Sequence, residues 1–194
     1  EGGVYIVGVD FSGNPTRGCF AEYVPAFELA RKKGLRIAAH SGEVDHAADN
    51  AAIINFRPDR LGHALLLSAS DFSELAQAPI PIELCPTSNL MTLRLPSVRA
   101  HPTLRALLRA GYPVSISTDD STVFGTTPSR ELAIAAEAAG LSDEQVVALA
   151  IAPLDHAFVE DDAKARLREM ILQGAAEGCS QVARGGGVSA EVCD

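Results

Sequence analysis

The chain has 194 residues, 47% of them apolar and 21% charged, with a net charge of −9 and a pI near 5.0. That is enough chain for one domain with a substantial core, and the acidic balance excludes a surface built to neutralise nucleic-acid phosphates or anionic lipid. No apolar run approaches the ~20 residues that span a bilayer, and the opening residues lack the phases of a signal peptide, so a soluble cytoplasmic protein with no nucleic-acid and no membrane partner is expected.

Val4 to Asp10 reads as a buried strand, followed by a Gly-Asn-Pro loop from Phe11 to Pro15. Phe20 to Lys33 carries apolar residues at Phe20, Val24, Phe27 and Ala30, close to helical spacing, with Gly34 as its stop. Leu35 to His40 is a strand, Ala47 to Phe56 a helix, and Arg60 to His63 a short strand. Asp71 to Gln77 reads as a helix capped by Ser70 or Asp71, and Ile80 to Cys85 as a strand with Pro81 at its first position. Pro86 to Asn89 is a polar loop, His101 to Ala110 a helix closed by Gly111, and Val114 to Ser117 a fifth strand. Three helices follow, Ser129–Ala139, Ser142–Ala152 and Asp155–Gln173, the second opened by a capping-box pattern at Ser142 to Gln145. Residues 174–194, with Gly185-Gly186-Gly187, lack an apolar period and read as a disordered tail.

Cys19, Cys85, Cys179 and Cys193 show no C-x-x-C spacing, which argues against a disulfide framework or a thiolate metal site and leaves Cys85 as a core filler. Five strand-then-helix units imply a parallel sheet with right-handed crossovers. Polar residues follow every strand at its carboxyl end: Asp10, His40 with Glu43, His63, Glu83 with Thr87 to Asn89, and Asp119 with Asp120. A β/α barrel gathers all such ends on one face, whereas an open doubly wound sheet gathers only those at its switch point. The expected class is therefore α/β, a TIM-barrel type fold represented by about five of its eight β/α units plus C-terminal helices.

Val9-Asp10-Phe11-Ser12-Gly13, His40-Ser41-Gly42-Glu43, Arg60-Leu61-Gly62-His63, Glu83 to Asn89 and Ser117-Thr118-Asp119-Asp120 resemble, in order and spacing, the motifs of the adenosine deaminase family. The resemblance implies the last five strands of that family's (β/α)8 barrel over residues 1–173, with the first strands absent. Pro86 to Asn89, Phe124-Gly125-Thr126 and Ala157 to Asp161 bring it closest to the branch acting on N6-methyl-AMP. The implied reaction is zinc-dependent hydrolytic deamination at carbon 6 of an adenine nucleoside or nucleotide, with one Zn2+ per complete site. By similarity His40 and Asp119 are zinc ligands, Glu43 donates a proton to ring nitrogen 1, and His63 orients the attacking hydroxide. Asp120 holds ring nitrogen 7, and Gly13 gives a backbone contact to the purine.

The family completes its metal site with an H-x-H on the first strand. None of His40, His46, His63, His101 and His156 forms such a pair, so the chain alone is expected to bind zinc weakly and to turn over little or no substrate. Each motif also has a plainer reading. His40 or His63 alone is a satisfied core histidine, Asp119-Asp120 a turn or helix cap, Thr87 to Asn89 a loop cap or a substrate contact, and Ser121 to Thr127 a loop. His46, His101 and His156 read as surface or cap residues, and Glu160-Asp161-Asp162 as a solvated helix start. Two other functions stay open: a non-catalytic half-barrel that associates with itself through open sheet edges, and another metal-dependent amidohydrolase. The latter commonly bridges two metals with a strand-end lysine, and no strand here ends in one.

Overall fold

A computed structural model describes residues 6–183, the side chains of 178–183 excepted. Strands β1 (Gly8–Phe11), β2 (Arg36–Ser41), β3 (Arg60–His63), β4 (Ile82–Leu84) and β5 (Val114–Ile116) form one sheet in the order of the chain, every neighbouring pair parallel. Sequential parallel order with a helical crossover after each strand is the arc of a β/α barrel.

The register explains which face is which. Phe11, Ala39, Leu61, Ile82 and Val114 form one row across the sheet, and all but Phe11 are buried in the main apolar core. Because strand side chains alternate, the adjacent row of His40, Gly62, Glu83 and Ser115 faces the opposite side. The covering helices are α1 (Val24–Lys32), α2 (Ala47–Phe56), α3 (Ala69–Gln77), α4 (Pro86–Thr92) and α5 (Leu104–Arg109). Ile53 and Ile54 of α2, Leu75 of α3 and Leu104 of α5 fill the core from that side. Phe11, Phe20, Phe27 and Phe56 cluster beside it with ring centroids 5.1–6.2 Å apart. Past β5 come α6 (Ser121–Phe124), α7 (Pro128–Ala139), α8 (Asp143–Ile151) and α9 (Asp161–Ala183).

Several local expectations are corrected. Pro86 to Asn89 opens helix α4, since proline is preorganised for a first helical turn. The span from Phe20 divides into a 3-10 turn, Phe20–Glu22, and α1, while the His101 helix begins only at Leu104. The α3 cap is Ser68, with Asp71 three residues into the helix returning a hydrogen bond to the Ser68 N–H at 2.8 Å. Ser121 to Phe124 is a single helical turn, and a 3-10 segment, Ala152–His156, precedes α9. The last helix continues through residues 174–183, where a disordered tail was expected. Residues 184–194, with the triple glycine and Cys193, lie outside the described residues, as do Val4 and Tyr5 of the expected first strand. The capping box at Ser142 and the acidic start of α9 are both found.

Candidate metal and catalytic site

His40 projects from the polar row near the end of β2, directly beside Gly62. A Cβ on Gly62 would lie 2.7 Å from His40 Cδ2, so only glycine leaves room for the imidazole in that position. Gly42 then turns the chain at φ +71°, where a Cβ would meet the Leu65 and Leu66 backbone nitrogens at 3.0 Å. The turn returns Glu43 to His40, with Oε1 3.3 Å from Nδ1. Asp10 Oδ1, from β1, lies 3.8 Å from His40 Nε2.

His63 reaches the same place by a different route. Strand alternation puts it on the helix side with Leu61, but its backbone adopts φ +62°, an uncommon left-handed conformation for a non-glycine residue. The ring consequently stands edge-on to His40, centroids 4.7 Å apart, with Nε2 3.8 Å from Glu43 Oε2 and 4.0 Å from Asp119 Oδ2. Asp119 is also left-handed, at φ +57°. Two such residues, one ending β3 and one in the loop after β5, are strain of the kind that concentrates at functional sites.

Asp120 is exposed, and its Oδ1 caps α6 by accepting the Thr122 and Val123 N–H groups at 3.0 Å. Gly13 lies in the loop after β1 at φ +127°. Together with Asp10, His40, Glu43 and Asn50 it lines a solvent-open cavity of about 430 Å³, whose wall does not include His63, Asp119 or Asp120.

Behind these groups stand residues to which sequence reasoning gave other roles, as with Ser88, Asn89 and His101, or none, as with Asn50 and Glu131. Ser88 Oγ donates to Asp119 Oδ2 at 2.7 Å, and Asn89 Nδ2 lies 3.0 Å from His63 Nδ1, so α4 supports two site residues at once. His101, expected as a surface or cap residue, is buried; its Nδ1 accepts the Thr103 and Leu104 N–H groups at the start of α5, and its ring bonds Asn89 at 3.1 Å. Asn50 ties the β2 and β3 loops together, accepting from Ser41 Oγ and Gly42 N–H and donating to the Leu66 carbonyl. Glu131 of α7, fully buried, accepts from the Thr87 N–H and from the Thr87 and Thr126 hydroxyls. The available signal was a polar residue on an otherwise apolar helix face, as at Asn50 among alanines and isoleucines. Glu83 is paired with Arg60 at 2.8 Å, and burial raises its pKa against that pull.

The two imidazoles are driven in opposite directions. Burial alone would lower the His40 pKa, but the Glu43 hydrogen bond and the charges of Asp10, Glu43 and Asp119 outweigh it and leave the value raised. Burial holds His63 below the usual histidine value, and neighbouring His40 adds to that effect against Glu43.

Donor atoms of His40, Glu43 and His63 lie within 4.8 Å of one another, and so do those of His63, Cys85 and Asp119. Burial drives the Cys85 thiol pKa far up, so in the metal-free chain it stands as a neutral thiol. What remains is a trio of His40, Glu43 and His63, linked through His63 to Asp119, with nitrogen and oxygen donors of the kind zinc accepts.

Imidazoles and carboxylates gathered at the carboxyl ends of parallel β/α strands stand where β/α-barrel enzymes build their active sites. The adenosine deaminase family model matches residues 3–174. An N6-mAMP deaminase from Arabidopsis thaliana is 39% identical over 165 residues, 85% of this chain and 46% of the relative. An adenosine deaminase-like protein from Drosophila melanogaster is 36% identical over 86% of this chain and 49% of its own. The crystal structure of arabidopsis ADAL complexed with IMP superposes with a TM-score of 0.83 at 37% identity, covering 88% of this chain and 50% of that one. The chain belongs to the adenosine deaminase family, and it spans about half the length of the curated relatives it matches.

Proposed function

We propose that this chain carries the proton-transfer and part of the metal-binding apparatus of a zinc-dependent deaminase acting at carbon 6 of an adenine nucleoside or nucleotide. The observation that carries the reading is the convergence of His40, Glu43, His63 and Asp119 from three strand ends, each within 4.0 Å of another. The naming of relatives as N6-mAMP and adenine deaminases, and the IMP held by a structural neighbour, support a purine substrate, with N6-methyl-AMP favoured.

His40 and Asp119 would hold the metal, with solvent completing the shell available here. Zinc, when bound, would supply Lewis-acid activation of a water molecule near neutral pH. Glu43 donates its proton to ring nitrogen 1, which makes carbon 6 electrophilic, and water adds there as the 6-amino group leaves as ammonia or methylamine. His63 orients and stabilises the attacking oxygen. Asp120 holds ring nitrogen 7, and the Gly13 backbone contacts the purine from the loop after β1. Of these, Gly13 and Glu43 share the cavity wall, which supports placing the base there.

The 194-residue polypeptide by itself lacks an H-x-H, and on this reading it holds zinc weakly and turns over little or no substrate. The test combines zinc content, turnover of N6-methyl-AMP, AMP and adenosine, and IMP binding followed by amide resonances, all on the purified chain. Weak zinc retention, negligible turnover and IMP-induced shifts at Gly13 and Glu43 are expected. Stoichiometric zinc with normal turnover would show that the metal site is elsewhere or complete, and the absence of any IMP response would contradict the nucleotide assignment.

A second reading rests on the sheet itself. β1 and β5 each have a strand neighbour on one side only among the described residues, with Ile6 and Val7 exposed just before β1. Such edges favour self-association and a non-catalytic interaction module. Size-exclusion chromatography with light scattering separates the cases, since a monomer at high concentration would contradict this reading.

A further inference from the structure

The buried polar chain behind His63 has a direction that fixes where protons lie. His101 Nδ1 faces the Thr103 and Leu104 backbone N–H groups at 3.3 and 3.1 Å, so it accepts and carries no hydrogen. The single proton of the neutral ring is then on Nε2, which donates to Asn89 Oδ1 at 3.1 Å. Burial lowers the His101 pKa to about 4, keeping the ring neutral under ordinary conditions. Asn89 Oδ1 also accepts from the Cys85 N–H at 3.2 Å, and two donors on one atom leave no choice about which end of the amide is oxygen. The Asn89 NH2 therefore faces His63 Nδ1 at 3.0 Å. An amide nitrogen only donates, so His63 Nδ1 accepts.

We infer that Asn89 and His101 are positioning residues that hold His63 in the Nε2–H tautomer, aiming its proton toward Glu43 and Asp119. The arrangement is rigid because all three side chains are buried and the relay ends on backbone amides that cannot reverse polarity. The opposite tautomer would turn a lone pair toward the site, and His63 would accept where it must donate to an oxygen nucleophile. That catalytic consequence rests on the deaminase reading. The tautomer itself does not.

The test uses the whole 15N-labelled chain, without metal or substrate, and two-bond proton–nitrogen spectra of the histidine rings at neutral pH. The expected spectrum has His63 and His101 both protonated at Nε2 only, with Nδ1 at the high-frequency position of a bare ring nitrogen. In Asn89→Asp, nearly unchanged in shape, both terminal atoms are acceptors, and His63 Nδ1 is expected to acquire a proton. An Nδ1–H or doubly protonated His63 in the unaltered chain would overturn the inference. So would an unchanged Nε2–H pattern in folded Asn89→Asp, and should that variant not fold, the unaltered chain's spectrum still decides. Failure of the deaminase reading appears in zinc and turnover measurements and leaves these spectra untouched, so the two failures are separable.

Discussion

Replacing Glu131 separates the cost of an empty space from the cost of a lost charge at the point where α4 is anchored. The carboxylate is 0% exposed, with the Thr87 N–H at 2.8 Å on Oε2 and the Thr87 and Thr126 hydroxyls on Oε1. Glu131→Gln keeps the shape. Its oxygen can take the Thr87 N–H, and its NH2 can face the hydroxyls, which rotate to accept. Charge assistance is lost and the two hydroxyl protons lose their carboxylate acceptor, for an expected cost of about 1–2 kcal/mol. Glu131→Ala leaves a buried donor and a cavity together, for an expected cost of about 3–5 kcal/mol. Urea unfolding followed by circular dichroism, with the denaturant slope checked for constancy, measures both. An alanine cost below ~1 kcal/mol, or a glutamine cost equal to it, would refute the reasoning.

The strand ends were legible in the sequence because short apolar runs stop at His40, His63 and Asp119, and a parallel sheet gathers such ends. Glu43 was legible because Gly42 allows the turn that returns it to His40. Less was visible where alternation breaks. Reading His63 at period two puts it with Leu61 on the helix side, and nothing in the residues announces the left-handed backbone that turns it round. The Asn89–His101 contact depends on α4 and the segment before α5 folding back on each other, and His101 before Pro102 reads simply as a helix start. Glu131 is 44 residues from Thr87, and its role exists only after α7 docks. Asp120 was read as a substrate contact or, more plainly, as a turn or helix cap, and the structure shows it capping α6.

Gly62→Ala should displace the His40 ring, since the added carbon falls about 0.7 Å inside ordinary contact at 3.4 Å; a stability loss of about 1–3 kcal/mol and roughly tenfold or more weaker zinc binding are expected. Unfolding and zinc titration check this, and an unmoved His40 ring resonance would contradict it. For His101 the folded pKa, about 4, lies below the ordinary 6.5, so the unfolded chain binds more protons between those values. Its contribution, at most about 3 kcal/mol, is complete above pH 6.5 and is lost as the pH falls toward 4. Buried His63 works in the same sense, whereas raised His40 contributes stability below 6.5 that fades above its own pKa. The difference in urea midpoint between the unaltered chain and His101→Phe across this range isolates the His101 slope, and equal slopes would count against it.

On the proposed reading, His40, Glu43, His63 and Asp119 surround one cation position. An anomalous difference map at the zinc edge, from crystals of the chain grown at saturating zinc, tests it most directly. A peak is expected about 2.0–2.2 Å from a His40 ring nitrogen and an Asp119 carboxylate oxygen. A peak held by other residues, with these four groups left bare, would contradict it.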